Sequence, residues 1–550
     1  MLDLLSKDVS VTRKILSFLA LIVFLLSSVF AIFLAFGYRF NFDTRIFIYS
    51  GTIMVKTTPQ NVDIYLDDKK IQKKSYDIIN NSYNIHGLKP GEYNLRIAKQ
   101  GYKEWKKTIQ VHSGIATEFW NIVLAPEKLE KERLDIVDPT FYKVAEGGEK
   151  ILFANRRNGP LNIYLYSSKK ENAFLIYEES PNKKNTVSIE FVEFSPDKDQ
   201  ALLLLKEQDF LKYYLANFSI LEKDNSDKNG LIYLNPLFLN IFEQKNILKE
   251  AKNQQDKDLL NNNQDSTEFV FNFSYEKKQN KIEQDDKNST QNPLEENILE
   301  LTKFKWLDNE NFYFLDKDKN LYLSDLNEQK TKLILENIRG YEVSQGNIYF
   351  IKSPNNLVFK SNSLGKDIKQ ITENLIDQDM KDPSYKITIY DDDRLAIRNN
   401  DNQLYLYNNN DSEYQIFKKI SDNIKGVQFS DDGKKLLYFN EDKIKIYYLR
   451  EWEVQPKNKV GNDKTVFVQK KERIRDAMWF KDYQHVLYNT QDQVNIVEID
   501  LRDSVNNQNV LKTQVSNPGF SYDTSAEKLF FLDQSDVFIQ LFSADFPPEK

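Results

Sequence analysis

Few residues in this 550-residue chain could carry out chemistry. It contains no cysteine, which excludes disulfides, thiolate metal ligands and thiol nucleophiles. The three histidines, His86, His112 and His485, lie far apart in the sequence, so a histidine-rich metal site is not favoured. His86 and His112 lie beside or near turn glycines and His485 lies in a predicted strand, so we expect structural roles for all three.

Carboxylates are the remaining candidates for chemistry. The run Asp391 to Asp393 lies between predicted strands, where aspartate is favoured because it bonds to nearby backbone N–H groups. The segment from Asp316 begins like a calcium loop, but Leu321 and Asn327 stand where glycine and a bidentate glutamate are needed. Both segments are interpreted as turns. We find no nucleotide-binding, hydrolase or zinc-protease motif, and we assign no catalytic, cofactor-binding or metal-binding residue and no cofactor.

Composition and charge limit the function classes further. About 40% of the residues are hydrophobic, which is enough to bury large cores. The formal net charge is −7. Because nucleic-acid binding relies on an excess of Lys and Arg on one face, a nucleic-acid partner is not expected.

An apolar segment near the N-terminus predicts a membrane anchor. Residues 15–36 are 22 consecutive positions without a charge, a length that spans a bilayer as one helix. The exit lacks a clear small-x-small cleavage site, which favours an uncleaved anchor over a cleaved signal or a buried core helix. We expect residues 1–14 to be a cytoplasmic tail, with the C-terminal domains extracytoplasmic and the chain in the cell membrane.

A small β-domain is predicted at residues 50–125. Five or six short alternating segments are separated by glycine and proline turns, such as Pro90-Gly91-Glu92-Tyr93. This pattern is typical of a small all-β sandwich. Four aromatic residues could form a sugar-binding platform or fill the core, and the core is favoured; they are Tyr93, Tyr102, Trp105 and Trp120.

The turn residues Pro90 to Tyr93, together with Gly101, Tyr102 and Trp105, resemble the PEGA domain family. The turn that gives the family its name is replaced here by Pro59-Gln60-Asn61-Val62. The resemblance implies an extracytoplasmic β-sandwich of surface and envelope proteins, with no catalytic residue to transfer.

Residues 138–550 contain repeats of one plan: a strand, an Asp/Asn/Gly-rich turn, a second strand, another turn and a third strand. The clearest copy is Ile424 to Leu449. The other seven copies are Lys143 to Tyr166, Val192 to Leu205, Phe304 to Leu326, Tyr341 to Ser361, Ile387 to Tyr407, Ala477 to Asp500 and Phe520 to Phe542. Such repeats predict a β-propeller.

The predicted propeller is interrupted by a polar segment at about residues 224–297, which is interpreted as a flexible insertion. Without it, eight repeats average about 42 residues, within the range of propeller blades. We therefore expect eight blades, with seven as the alternative. Part of the segment from Lys128 to Val137 is expected to supply the missing strand of the last blade.

The turns at Phe194 to Asp197 and Phe429 to Leu436 resemble those of TolB-like and WD-type propellers. The Trp-Asp dipeptide of WD repeats is absent from the blade ends, which favours the TolB-like class. The resemblance implies a ring that binds partner proteins or ligands across one face.

These features predict an all-β protein with one transmembrane helix, a small sandwich and a β-propeller. We expect a non-catalytic envelope protein that contacts the bilayer through its helix. The propeller would dock a protein or ligand, and the sandwich would act as a spacer or bind a surface glycan. The alternatives are an extracytoplasmic hydrolase that uses carboxylates of the propeller channel, and a sensor that signals through the helix.

Overall fold

The computed structural model describes residues 2–35, 38–41, 46–72, 74–156, 159–180, 187–208, 210–220, 231–235, 237–238, 301–373, 376, 383–409 and 416–548. The first element is helix α1, Leu2–Ala35. Its segment Arg13–Phe33 is long and apolar enough to cross a membrane, and none of it is buried against the rest of the chain. Strands β1 (Tyr38–Asn41) and β2 (Ile46–Tyr49) pair after it, and the rings of Tyr38 and Tyr49 stack at 4.9 Å.

The next eight strands form two four-stranded sheets, ordered β10-β3-β7-β6 and β5-β4-β8-β9. Their bounds are β3 Gly51–Thr58, β4 Asp63–Leu66, β5 Lys69–Lys70, β6 Ser75–Asp77, β7 Ser82–Leu88, β8 Gly91–Ala98, β9 Trp105–Val111 and β10 Ala116–Val123. Buried and exposed residues alternate along β3 and β9, and the buried set packs into one core between the sheets. The sequence predicts only five or six strands, because β5 and β6 are too short to show alternation.

The remaining described strands form eight four-stranded sheets, numbered here sheets 1 to 8 in chain order. Sheets 1 to 4 contain β12 Pro139–Val144, β13 Lys150–Asn155, β14 Asn162–Ser167 and β15 Asn172–Glu178; β16 Val187–Phe194, β17 Gln200–Glu207, β18 Phe210–Asn217 and β19 Leu231–Tyr233; β20 Thr302–Trp306, β21 Asn311–Leu315, β22 Leu321–Asp325 and β23 Lys330–Leu335; β24 Ile338–Ser344, β25 Asn347–Lys352, β26 Leu357–Asn362 and β27 Lys369–Gln370.

Sheets 5 to 8 contain β28 Tyr385–Asp391, β29 Arg394–Asn399, β30 Leu404–Asn408 and β31 Phe417–Ser421; β32 Gly426–Phe429, β33 Lys435–Phe439, β34 Lys443–Tyr448 and β35 Asp463–Val468; β36 Asp476–Trp479, β37 His485–Asn489, β38 Gln493–Glu498 and β39 Asn507–Lys512; β40 Phe520–Asp523, β41 Lys528–Ser535, β42 Phe538–Asp545 and β11 Glu132–Val137. Buried side chains pack between neighbouring sheets, as in the cluster that joins Tyr349 of sheet 4 to Ile387 of sheet 5. The predicted all-β propeller fold is confirmed; the number of blades in the ring stays a prediction.

The last sheet is completed by a strand from the other end of the domain. Strand β11 pairs antiparallel with β42, and Glu132 lies opposite Ser543. The buried side chains of Leu134 and Ile136 pack with Phe530 and Leu541. The expectation that the segment before residue 138 completes the last sheet is confirmed.

The start predicted for the polar segment at residues 224–297 is too early in the sequence. Strand β19, Leu231–Tyr233, lies inside it and pairs with β18 as the fourth strand of sheet 2. Phe238 is fully buried in the core between sheets 2 and 3. These short apolar runs are set in a polar context, which hides them from a composition-based boundary. Residues 224–230 and 239–297 lie outside the described residues.

The strand order defines two faces of the propeller. In sheets 1 to 7 the chain makes four consecutive antiparallel strands and so leaves each sheet at the face where it entered. The first strand of each sheet begins on one side of the propeller, and the turn between its second and third strands lies on the same side. We call this side the entry face. The opposite side, which carries the first and third hairpin turns, is the hairpin face.

Candidate binding surfaces

The three histidines do not meet in the structure. His86 and His112 are exposed on the sandwich, and His86 Nδ1 lies 3.2 Å from the Thr52 hydroxyl. His485 is buried in the propeller, with its Nδ1 2.8 Å from Asp482. Burial alone would lower the pKa of His485, but the Asp482 carboxylate raises it overall. Within the described residues, no group of three or more His, Asp or Glu side chains could hold a metal ion.

The run Asp391 to Asp393 forms the first hairpin turn of sheet 5, as expected. The Nε of Arg394 donates to both carboxylate oxygens of Asp391, at 3.1 and 3.0 Å. The ammonium of Lys360 lies 2.8 Å from Asp392. Although burial raises it, the pKa of Asp392 is lowered overall by its hydrogen bonds with Lys360 and Tyr349. Two of these carboxylates are therefore engaged with cations of the propeller itself.

The aromatic residues of the sandwich belong to its core and to its contact with the propeller. Trp105 is only 1% exposed, and Tyr93 and Tyr102 are partly buried against the same core. The indole Nε1 of Trp105 donates to Glu498 of sheet 7 at 2.9 Å. Trp120 is partly buried and donates to Glu118 at 2.9 Å. The favoured core interpretation therefore holds for Trp105, which faces sheet 7 rather than solvent.

A buried lysine fixes the sandwich to the propeller. The side chain of Lys107 is 0% exposed, and its ammonium lies 2.8 Å from Glu498 Oε1. It also donates to three backbone carbonyls of the loop after β38, those of Asp500, Arg502 and Ser504, at 2.8, 2.7 and 3.0 Å. An ammonium group needs such a shell of acceptors to be stable away from water. We call Glu498 and these three carbonyls the Lys107 socket.

Contacts around the socket extend the interface. The guanidinium of Arg502 lies 4.0 Å from the ring centroid of Phe119 and donates to the Glu118 carbonyl at 2.8 Å. The backbone N–H of Thr108 donates to Asp503 at 2.7 Å and lowers the pKa of that carboxyl. These contacts lie on loops of the hairpin face and on the outer edge of sheet 7, away from the entry face.

A cavity between the sandwich and the propeller has a volume of about 40 Å³ and is lined by Trp105, Trp120, Trp452 and Arg502 among others. A water molecule needs about 10–15 Å³ of such volume. The cavity is therefore too small for a sugar ring, and the two domains pack closely along this contact.

The centre of the propeller carries a second polar feature. The first strands of sheets 3 to 7 contact one another in series, which places them innermost. One position on each first strand lies two residues before the residue that closes the first hairpin, except in sheet 5, where a bulge between Ile389 and Asp391 makes the separation three residues. We call the residues at this position the channel ring; they are Lys143, Glu193, Lys305, Glu342, Thr388, Gln428, Met478 and Ser521.

The charges of the channel ring are confined to sheets 1 to 4 and alternate in sign. Lys305 lies 3.3 Å from Glu342 and 3.8 Å from Glu193, so one ammonium pairs with two carboxylates. Burial lowers the pKa of Lys143, and the nearby charges of Lys305 and Lys386 lower it further although Glu193 opposes them. These lysines belong to sheets 1, 3 and 5, so charged side chains of sheets that are not neighbours influence one another.

Sequence reasoning missed both surfaces. The channel ring could have been found by aligning the repeats on their first turns, since its residues hold the same position in seven copies and the bulge in β28 shifts the eighth by one residue. The Lys107 socket had no such signal, because its acceptors are mainly backbone carbonyls and it joins segments far apart in the chain.

Comparison with known proteins agrees with this architecture. Residues 50–127 match the PEGA domain family, so the chain carries a PEGA domain in its sandwich. No curated protein matches the chain.

Solved structures similar to the chain are β-propellers of low sequence identity. The C-terminal WD40 domain of Sif2 is 10% identical, with a TM-score of 0.43, over 76% of this chain and 98% of that one. The Dos1 propeller is 9% identical, with a TM-score of 0.42, over 76% and 95%. KlAtg21, solved with the coiled coil of AgAtg16, is 10% identical, with a TM-score of 0.36, over 68% and 98%.

Proposed function

We propose that this protein is a non-catalytic, membrane-anchored docking platform of the cell envelope. Residues 15–36 cross the bilayer, with residues 1–14 on the cytoplasmic side and the sandwich (50–125) and propeller (138–550) outside. The eight sheets act as eight blades of a TolB-like ring. A protein partner binds the entry face.

The observation that carries this proposal is the Lys107 socket. Its buried ammonium joins the sandwich to the hairpin-face loops of sheet 7, so the sandwich holds the propeller in one orientation relative to itself. A spacer that is locked in this way keeps the entry face available while the other side is occupied. Rigid presentation of a face lowers the ordering cost of binding a partner.

The alternative, an extracytoplasmic hydrolase, has less support. The channel carboxylates of Glu193 and Glu342 both pair with Lys305, whereas acid–base chemistry on a glycan needs two carboxylates in different protonation states facing a substrate. A surface glycan as ligand of the sandwich stays a secondary proposal, since Trp105 is committed to the propeller contact. No nucleic-acid partner is proposed.

Site-specific photo-cross-linking of the full-length chain in its native membranes tests the proposal. The cross-linking residue replaces exposed Asp401 on the entry face, Gln345 on the hairpin face, or Ile79 at a tip of the sandwich. We expect the cross-linker at position 401 to capture one protein that the cross-linker at position 345 does not capture. The captured protein should also bind the purified full-length chain. Capture of the same protein from Ile79 alone would contradict the entry-face proposal.

A further inference from the structure

A separate cavity lies on the entry face between sheets 3 and 4. Its volume is about 290 Å³, close to the lower end of small-molecule sites. It is lined by the first residues of β20 and β24, the turn between β21 and β22, Leu211 and Ser384. This cavity is distinct from the channel ring and from the contact with the sandwich.

The lining of this cavity is strongly cationic. Four basic side chains contribute to it, those of Lys303, Lys317, Lys319 and Arg339. Among the described residues of the lining the one acidic residue is Asp316, which is buried and accepts hydrogen bonds from the backbone N–H and side-chain amide of Asn320, at 2.9 and 3.3 Å. Its expected role as a turn residue is therefore confirmed. The described residues of the lining therefore carry an excess of positive charge.

Lys303 contributes a charge that is held by neutral groups. Its ammonium donates to Ser384 Oγ at 3.0 Å and to the carbonyls of Tyr385 and Arg339 at 2.9 and 3.3 Å. These acceptors fix the position of the ammonium but do not neutralise it. Gly340 makes this arrangement possible, because a Cβ there would overlap the Tyr385 carbonyl oxygen. Close approach of β24 to β28 thus builds a cradle around Lys303.

Arg339 supplies hydrogen-bond donors next to this charge. Its Nη1 donates to Asn356 at 2.7 Å, which orients the guanidinium. Its Nε is buried and has no hydrogen-bond partner within the described residues. Because this Nε has no accessible surface, Arg339 contributes to the cavity through its charge and its fixed orientation and not through this donor. The hydroxyl groups of Thr302 and Ser384 lie in the same lining.

We propose that this cavity binds an oxyanion, the carboxylate or phosphate group of a small ligand. Excess positive charge, an oriented guanidinium and two hydroxyl groups match the acceptors of such a group. A neutral ligand would leave Lys303, whose acceptors are all neutral, without a counter-charge, and the volume limits the ligand to a small molecule. The inference goes beyond the docking function and does not depend on it, because it concerns a small ligand and not the protein partner.

Isothermal titration of the full-length chain in detergent micelles tests this proposal. The probes are inorganic phosphate and citrate, and glucose is the neutral control. The variants are Lys303→Asn and Arg339→Gln; asparagine is chosen because Lys303 has a φ of 54°, a left-handed conformation that asparagine tolerates. The matched control is Lys69→Gln, an exposed lysine of the sandwich.

We expect at least one anion to bind and glucose not to bind. Each cavity substitution should weaken binding by about 10- to 100-fold, as for loss of a charged hydrogen bond, and Lys69→Gln should leave it unchanged. Preference for citrate or for phosphate distinguishes the two oxyanions. If a variant loses its cooperative thermal transition, Lys317→Gln at the exposed rim replaces it. The proposal would be overturned if neither anion binds, or if all variants bind the anion equally well.

Discussion

The Lys107 ammonium of the sandwich lies 2.8 Å from the Glu498 carboxylate of sheet 7, and the two side chains are 0% and 5% exposed. A buried pair of this kind adds less stability than its distance suggests, because both charges lose their hydration. Removing one partner is costly, however, since the other charge is then buried alone. The contact therefore fixes one arrangement of the two domains and disfavours others.

Substitution of Lys107 should loosen the sandwich. We expect Lys107→Met to destabilise the domain contact by about 3–5 kcal/mol, because Glu498 and three carbonyls lose their shared cation. Hydrogen–deuterium exchange should then rise in β9 and in residues 500–506. The control is Lys106→Met, which removes a more exposed pair with Glu104 and should change stability by less than about 0.5 kcal/mol. Unchanged exchange in Lys107→Met would contradict the role given to the socket.

The closing strand β11 should stabilise the propeller. Ile136 is 0% exposed, and Ile136→Ala should lower the free energy of unfolding by about 2–5 kcal/mol because it leaves a cavity in the last sheet. Asp135→Ala on the exposed side of the same strand is the control and should be nearly neutral. Chemical denaturation of the full-length chain measures both, and equal midpoints for the two variants would show that β11 does not hold the ring closed.

The channel ring predicts a pH-dependent effect. In Lys305→Met the carboxylates of Glu193 and Glu342 lose their shared cation and repel each other when both are ionised. Burial already raises the pKa of Glu193, and this change should raise it further. The destabilisation should therefore be largest at neutral pH and shrink as the pH falls through the carboxylate range. Thermal unfolding at several pH values tests this, with Thr388→Val from the uncharged half of the ring as control; a pH-independent loss would refute it.

Anion binding at the proposed oxyanion site should depend on pH in the alkaline range, whereas the channel-ring effect lies in the acidic range. Burial lowers the pKa of Lys303 to about 8, and the charge of Lys319 contributes. Protonated Lys303 attracts the anion, so affinity should be high at pH 7 and fall as the pH rises through about 8. The other charged groups that line the cavity are Lys317, Lys319, Arg339 and Asp316. Titrations at pH 7 and pH 9 with Lys303→Asn as control measure this, since that variant should lack the dependence.

Local sequence patterns predict the strands and the order of the domains well. The turn at Ser430 to Lys435 shows why: the Ser430 hydroxyl accepts from the Lys435 N–H at 2.9 Å, so the residues that define the repeat also close the hairpin. Strand β11 was also predictable, because a ring of repeats with an incomplete last sheet needs a strand from elsewhere.

The binding surfaces were less predictable for physical reasons. Lys107 lies in the buried register of β9, between Trp105 and Ile109, but the sequence does not show which acceptors hold its ammonium there. Lys303 likewise has no acidic neighbour in sequence, and its cradle of carbonyl groups exists only after β20, β24 and β28 have come together. Only tertiary structure distinguishes these two lysines from the other lysines and arginines of the chain.

The most direct test of the docking account is hydrogen–deuterium exchange of the full-length chain in lipid nanodiscs, with and without the protein captured by cross-linking. We predict slower exchange on the entry face, in residues 316–320 and 400–403, with the sandwich unchanged. Protection of the sandwich with an unaffected entry face would contradict the account and make the sandwich the binding module.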